Sequence, residues 1–201
     1  MHLNNLTDSN LRRVVAVVAC LNLAYFGVEF TAARAIGSVS LFADSIDFLE
    51  DASVNTLILL AIGWSLRARA NVGRLLAIVL LAPALATLWT AWQKFNQPVA
   101  PDAFTLGLVG LGALIVNLTC AFLLARYRHH SGSLTKAAFL SARNDAYANI
   151  AIVSAGLITE FLIPSAWPDL VVGLAIALMN ADAALEVWQA ASAESELANR
   201  S

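Results

Sequence analysis

The sequence predicts an all-α membrane protein with six transmembrane helices and both termini in the cytoplasm. Three observations predict this fold class. The chain of 201 residues is 59% hydrophobic and only 13% charged, whereas soluble domains carry about 25% charged residues. Its apolar residues form six runs that are each about long enough to cross a bilayer as a helix. Its basic residues are concentrated in alternate connections between these runs, as expected of cytoplasmic loops.

The six apolar runs are separated by polar breaks with turn-forming residues, such as the stretch NQPVAPD. The first run lacks a signal-peptide cleavage site, and Pro83 in the third run is a kink that a transmembrane helix tolerates. The second, fifth and sixth runs contain ionisable residues. A transmembrane domain is therefore predicted over residues 12–190, between a cytoplasmic N-terminal segment, 1–11, and a short cytoplasmic tail, 191–201. The predicted spans are residues 12–34, 41–66, 73–95, 103–125, 135–161 and 169–189.

Positive charge predicts the orientation of these helices. Nine basic residues lie on the side of the two termini, whereas only Arg34 and Lys94 lie on the other side. This bias places both termini in the cytoplasm. The net charge of −2 argues against nucleic-acid binding, and Cys20 and Cys120 are predicted to be free, buried thiols. The nine basic residues are Arg12, Arg13, Arg67, Arg69, Arg74, Arg126, Arg128, Lys136 and Arg200.

The second apolar run contains an acidic cluster in the stretch ADSIDFLED. On a helix, Asp44, Asp47 and Asp51 fall at i, i+3 and i+7 on one face, and Asn55 extends that face by a turn. An unpaired charge in the bilayer core costs at least about 2.5–3.5 kcal/mol, so three neighbouring carboxylates require a compensating cation. We interpret the face as a cation site inside the helix bundle. The alternative is a water-exposed helix end, although apolar sequence continues on both sides.

The fifth run contains a second polar face. Ser141, Asp145 and Asn149 are spaced four residues apart in and around the stretch SARNDAYAN, so they lie on one side of a helix. Arg143 points away from Asp145 and is predicted to reach the lipid interface. The sequence leaves two interpretations of Asp145, which either completes the cation site or pairs with another polar group without a ligand.

The stretch GSVSLFADSIDFLEDASVN resembles the second transmembrane helix of the cation diffusion facilitator family of metal/proton antiporters. The fifth run, and the stretch WPDLVVGLAIAL with Asp169 in its usual place, resemble the family's fifth and sixth helices. The similarity covers about residues 10–190. It implies a six-helix fold and efflux of a divalent cation, bound between the second and fifth spans, in exchange for protons. The positions that match in the second span are Gly37, Ser38, Asp44, Asp47 and Asp51.

Two features depart from the family pattern. The family usually has His or Asp where this chain has Ser141. Because a hydroxyl is a weaker ligand, either Asn149 or water completes the ligand set, or the site binds metal less tightly. Only about a dozen polar residues follow the sixth span, whereas many members continue into a cytoplasmic domain that binds metal and dimerises. The chain is therefore expected to lack that domain, and the resemblance leaves a homodimer open.

The identity of the cation stays open at this stage. Asp47, Asp51 and Asp145, with Ser141 or Asn149, supply only oxygen ligands, which suit Mn²⁺ and harder ions better than zinc. The resemblance favours zinc, cobalt and cadmium. The transported ion is predicted to be Zn, Co, Cd, Mn or Fe. No catalytic residue or resident cofactor is expected; the partners are the cation, protons and the lipid of a membrane, expected to be the bacterial plasma membrane.

Several other residues have two interpretations each. His129 and His130 in the stretch RYRHH are either a cytoplasmic metal-collecting site or part of a basic anchor. Asn22, Glu29 and Asn117 either line the cation path or form hydrogen bonds between helices. The alternative function is a non-transporting, family-like membrane subunit that acts as a binding partner. An intramembrane aspartyl protease is disfavoured because the sequence has no Gly-x-Gly-Asp signature.

Overall fold

The computed structural model of the chain describes residues 2–60, 71, 85–126 and 133–200. Of residues 2–9, 58 and 133–141, and of several residues beyond 179, it describes only the backbone. The described part contains helices and no strands, which confirms the predicted all-α class. The helices are α1 (His2–Ile36), α2 (Val39–Leu60), α3 (residues 85–96), α4 (Ala103–Ala125), α5 (Ser133–Phe161) and α6 (Trp167–Arg200).

The helix ends agree with the predicted spans only in part. The span 103–125 coincides with α4, and α5 ends at Phe161 as predicted. In contrast, α1 begins ten residues before its span and α6 continues to Arg200, because a helix continues through polar residues that hydropathy excludes. The parts of the second and third spans at 61–70 and 72–84, and the loop with His129 and His130, lie outside the described residues.

A tight turn joins α1 to α2. Gly37 has a φ of +63°, which a glycine adopts at no steric cost, and the backbone N–H of Ser38 donates to the carbonyl of Ala33 at 3.0 Å. This is the pattern of a Schellman C-cap. Ser38 then caps the next helix, since its Oγ accepts from the backbone N–H of Leu41 at 3.1 Å. The first two helices therefore form a fixed antiparallel hairpin.

The N-terminus of α4 is also capped. The backbone N–H of Thr105 donates to Asp102 Oδ1 at 2.8 Å. Hydrogen bonds from Thr105, chiefly from its hydroxyl and then from this N–H, hold the pKa of the exposed Asp102 carboxyl below its usual range. The cap explains why α4 begins where the polar break ends.

The helices pack into one bundle with α2 in contact with α1, α5 and α6, while α4 packs against α5 and α1. The main apolar cluster lies where these helices meet, so the acidic face of α2 is held inside the bundle. Its buried members are Ala33, Leu41, Phe42, Ala43, Ile46, Leu106, Ala148, Ile152 and Ile176.

Polar and apolar side chains are distributed in the bundle in the opposite way to a water-soluble protein. Large apolar side chains of α4 point outward, with Leu108 58% and Phe122 81% exposed, while Glu29, Asp44 and Asn149 are fully buried. Exposed apolar surface around a polar interior is expected when lipid surrounds the protein. Two described helical segments, Asn10–Ile36 and Ala103–Ala125, are long and apolar enough to cross a bilayer. This combination of features is typical of a membrane protein.

Candidate cation site

The acidic face predicted on the second span lies on the unbroken helix α2. Asp44 and Asn55 are buried, and Asp47 and Asp51 are half-buried. At a rise of about 1.5 Å per residue, Asp44 and Asp51 are about 10 Å apart along the helix axis. The four side chains are therefore spread along the helix axis and do not form a single compact site.

The second and fifth helices bring their carboxylates together. Asp145 on α5 is 9% exposed, and its carboxyl group lies within hydrogen-bonding reach of that of Asp51. Asp47 is close enough to Asp145 to interact with it electrostatically. We call Asp47, Asp51 and Asp145 the inner group. The backbone of α5 is helical through residue 141, but the side chain of Ser141 lies outside the described residues.

Asn22 on α1 also contacts the inner group. Its Nδ2 donates to Asp51 Oδ2 at 3.5 Å, and its Oδ1 accepts from the thiol of Cys120 on α4 at 3.7 Å. Asn22 therefore links α2 to α4, which agrees with the predicted hydrogen-bonding role between helices. Both cysteines are free, but Cys20 is exposed on α1, so its predicted burial is wrong: an apolar run shows that a residue faces lipid or core, not which of the two.

A second pair of carboxyl groups lies nearer the α1–α2 turn. Glu29 and Asp44 are fully buried and within hydrogen-bonding reach of each other, and Asp44 is also within reach of Asn149. Asn149 Nδ2 donates to the backbone carbonyl of Asp145 at 2.8 Å. We call Glu29, Asp44 and Asn149 the outer group. Sequence analysis named each of these residues but did not place Glu29 beside Asp44.

The N-terminus of α2 holds the carboxylate of Asp169 from α6. Ser38 Oγ and Ser40 Oγ donate to Asp169 Oδ1 at 2.6 and 2.7 Å, and the backbone N–H groups of Val39 and Ser40 donate to the carboxylate at 2.9 and 3.1 Å. An anion at this position satisfies the free N–H groups of the first turn and interacts favourably with the helix dipole. All of these groups are buried. We call this arrangement the α2 anchor.

Two further residues complete the α2 anchor. The ammonium of Lys94 on α3 lies 3.7 Å from Asp169 Oδ2 and donates to the carbonyl of Gly37. Gly173 is one turn after Asp169 on α6, and a Cβ there would lie 2.7 Å from the backbone N of Ser40. Only glycine therefore lets α6 approach α2 this closely. Sequence analysis counted Lys94 only as a basic residue on the outer side, whereas the structure buries it against a carboxylate.

The interior of the bundle is rich in carboxyl groups. The inner and outer groups together contain five carboxyl groups, while Lys94 contacts Asp169 instead and Arg143 is exposed, with its Nη2 donating to Asn144. No three His, Cys, Asp or Glu side chains in the described ranges are already arranged to hold a metal ion. Binding of a cation at the inner group therefore requires its side chains to converge on the ion.

The chain matches a known protein family. Residues 15–193 match the family model described as the cation efflux transmembrane domain, which covers most of the chain, including both carboxylate groups and the α2 anchor. No match is found among curated proteins.

Proposed function

Because the chain belongs to the cation efflux family, in which the members are transporters rather than enzymes, we propose that it exports a divalent metal ion in exchange for protons. The observation that carries this proposal is the approach of the Asp51 and Asp145 carboxyl groups from two different helices. They meet inside a bundle whose outer surface is apolar. A cation is the ligand that such a site requires, because an uncompensated charge in the membrane interior is costly.

We propose that the chain crosses the membrane six times with both termini in the cytoplasm. The reversed polarity of the bundle supports several crossings, since apolar side chains face outward on α1, α4, α5 and α6. The basic residues of the sequence support the orientation, even though Lys94, one of the two on the outer side, is engaged in the α2 anchor. A bacterial plasma membrane is the proposed location.

The metal is proposed to bind at the inner group. Asp47, Asp51 and Asp145 provide up to six carboxylate oxygens, and Ser141, Asn149 and Asp44 are the candidates for completing the ligand set. Oxygen ligands favour Mn²⁺ and similar ions, whereas family membership favours zinc, cobalt or cadmium. The cargo is therefore proposed as one of Zn, Co, Cd, Mn or Fe.

Protons are proposed to compete with the metal for the same carboxylates. A divalent ion binds the ionised form, so its binding displaces protons from the site. When the metal leaves, protons neutralise the carboxylates and remove the cost of an empty, charged site within the membrane. The same residues therefore couple the two fluxes without a separate cofactor.

Proteoliposome flux tests this function. The purified protein is reconstituted into lipid vesicles, and uptake of Zn²⁺, Co²⁺, Cd²⁺, Mn²⁺ and Fe²⁺ is followed with and without an imposed pH gradient. We expect uptake of at least one ion, driven by the gradient and abolished by Asp51→Asn. Asp182→Asn is the matched control, because Asp182 is an exposed aspartate on α6, and it should keep wild-type flux.

The alternative is a non-transporting membrane subunit that binds a partner. It predicts metal binding without flux, so equilibrium binding combined with an absence of uptake for every ion would favour it. Gradient-driven uptake that persists unchanged in Asp51→Asn would remove the inner group from the mechanism. Cross-linking in membranes would show whether the transporter is a homodimer.

A further inference from the structure

The outer group has more buried acceptors than donors. Glu29 and Asp44 are both fully buried, and none of their four carboxylate oxygens has a hydrogen-bond partner. When both are ionised, neither can donate to the other, although they lie within hydrogen-bonding reach. Leaving a buried charged acceptor unpaired is costly. In its fully ionised form the pair therefore needs a positively charged occupant.

Asn149 provides an independent indication of a ligand at the same place. It is fully buried, its Nδ2 is used by the backbone carbonyl of Asp145 at 2.8 Å, and its Oδ1 has no partner. The side chain lies within reach of Asp44. A third helix thus contributes a buried amide that lies within reach of Asp44 and keeps one neutral oxygen unpaired.

The charge and the donor type define the occupant. Two carboxylates carry a charge of −2, which a single divalent cation neutralises, and carboxylate and amide oxygens are ligands for hard ions such as Mn²⁺. Asp44 precedes Asp47 by one turn and Asp51 by two, which separates the outer group from the inner group by about 5–10 Å along α2. This spacing leaves room for two separate ions.

We propose that Glu29, Asp44 and Asn149 form a second divalent-cation site, nearer the α1–α2 turn than the inner group. The site lies in line with the inner group along α2 and gives the ion a second position on its path. This inference extends the transport proposed above. It moves Asp44 and Asn149 from the ligand set of the inner group to that of the outer group, and adds Glu29.

Counting bound Mn²⁺ tests the second site. Purified full-length protein in detergent is titrated with Mn²⁺ alone, and free Mn²⁺ is measured by electron paramagnetic resonance. We expect about two ions per chain in the wild type and one fewer in Glu29→Gln, since Gln lacks the charge needed to hold a hard cation. Glu160→Gln makes the same change at an exposed position on α5 and should bind as the wild type does.

A double variant keeps the test independent of Glu29. Asp51→Asn with Asp145→Asn removes two ligands of the inner group and leaves the outer group intact, so it should retain one Mn²⁺ per chain. If the wild type binds a single ion and this double variant binds none, the outer group holds no metal and the proposal is overturned. Proteoliposome flux separates the two proposals: transport with one bound ion refutes only the second site, and two bound ions without transport refute only the transport function.

Discussion

Replacing Asp169 with Ala is expected to release the first turn of α2 from α6. In the native protein the carboxylate accepts hydrogen bonds from two hydroxyls and two backbone N–H groups and lies beside an ammonium. The variant leaves these donors buried without an acceptor. The ammonium of Lys94 also loses its counter-ion, although it keeps its hydrogen bond to the carbonyl of Gly37.

The size of the effect follows from these contacts. A hydrogen bond to a charged group contributes about 1.5–3 kcal/mol, but four such values do not add, because the donors share one acceptor. Ser38 Oγ and Ser40 Oγ are only 3.3 Å apart and can pair with each other after the change. Removing one partner of a buried ion pair costs about 3–5 kcal/mol, which is the expected loss in the free energy of unfolding. At about 1.4 kcal/mol per factor of ten, the first amides of α2 should exchange faster by a factor between about 10² and 4 × 10³.

Two measurements on detergent-solubilised protein check this prediction. Unfolding by SDS in mixed micelles gives the change in free energy, and hydrogen–deuterium exchange of the peptide that contains Val39 and Leu41 shows where stability is lost. Asp182→Asn, which changes an exposed aspartate of the same helix, should alter stability by less than about 0.5 kcal/mol. If Asp169→Ala behaves like Asp182→Asn in both measurements, the anchor does not hold α2, and the reasoning is refuted.

Four further changes have expected outcomes. Asp47→Asn or Asp145→Asn should abolish metal flux, because the side chain loses its charge as a ligand but keeps its volume. Size-exclusion chromatography should show that each variant remains folded. Gly173→Ala should destabilise the protein because its Cβ would meet the start of α2, whereas Gly27→Ala, with open space around its Cβ, should not. Calorimetry should show metal affinity falling from about pH 8 to 6 because protons compete for the carboxylates, with protons released on binding. Ser141→His should shift flux selectivity from manganese toward zinc, because imidazole suits zinc better than a hydroxyl does.

Each of these outcomes can fail in a defined way. Wild-type flux in either Asn variant would remove that aspartate from the site, and equal stability of the two glycine variants would show that α6 does not need the close approach. A count of zero released protons at neutral pH, in buffers of different ionisation enthalpy, would rule out antiport through these carboxylates. Unchanged zinc and manganese flux in Ser141→His would mean that Ser141 does not face the ion.

The sequence predicted those parts of the fold that depend on local pattern. The ends of α4 agree with prediction because Asp102 caps the helix directly after the polar break. The ends of α1 and α6 do not, because hydropathy measures which residues suit lipid, whereas a helix continues until its backbone hydrogen bonds are interrupted. The helical period placed Asp44, Asp47 and Asp51 on one face of α2 correctly, since that face is a property of a single helix.

The sequence patterns did not predict contacts between helices that are distant in sequence. Asp169 meets Ser38 across 131 residues of chain, and no periodic pattern in either segment specifies that pairing. Lys94 was only counted among the basic residues of the outer side, because a charge count does not distinguish a solvated ammonium from one that contacts a carboxylate. Three features of the sequence were available as signals: an acidic residue in the first turn of α6, a glycine one turn after it, and two serines at the start of α2. None of them predicts the contact by itself; they indicate it only in combination.

The α2 anchor and the proposed cation positions are on one rigid element, which has a consequence for transport. Ser40, Asp44, Asp47 and Asp51 lie within about 17 Å of helix, so a displacement of the N-terminus of α2 shifts all three carboxylates relative to Glu29 on α1 and to Asp145 on α5. The anchor binds that N-terminus to α6 and α3, while the ligands face α1 and α5. A change in the position of α2 relative to these two sets of helices would therefore directly alter the distance between Asp51 and Asp145. Loosening the anchor should accordingly weaken metal binding as well as stability, even though Asp169 touches none of the proposed ligands.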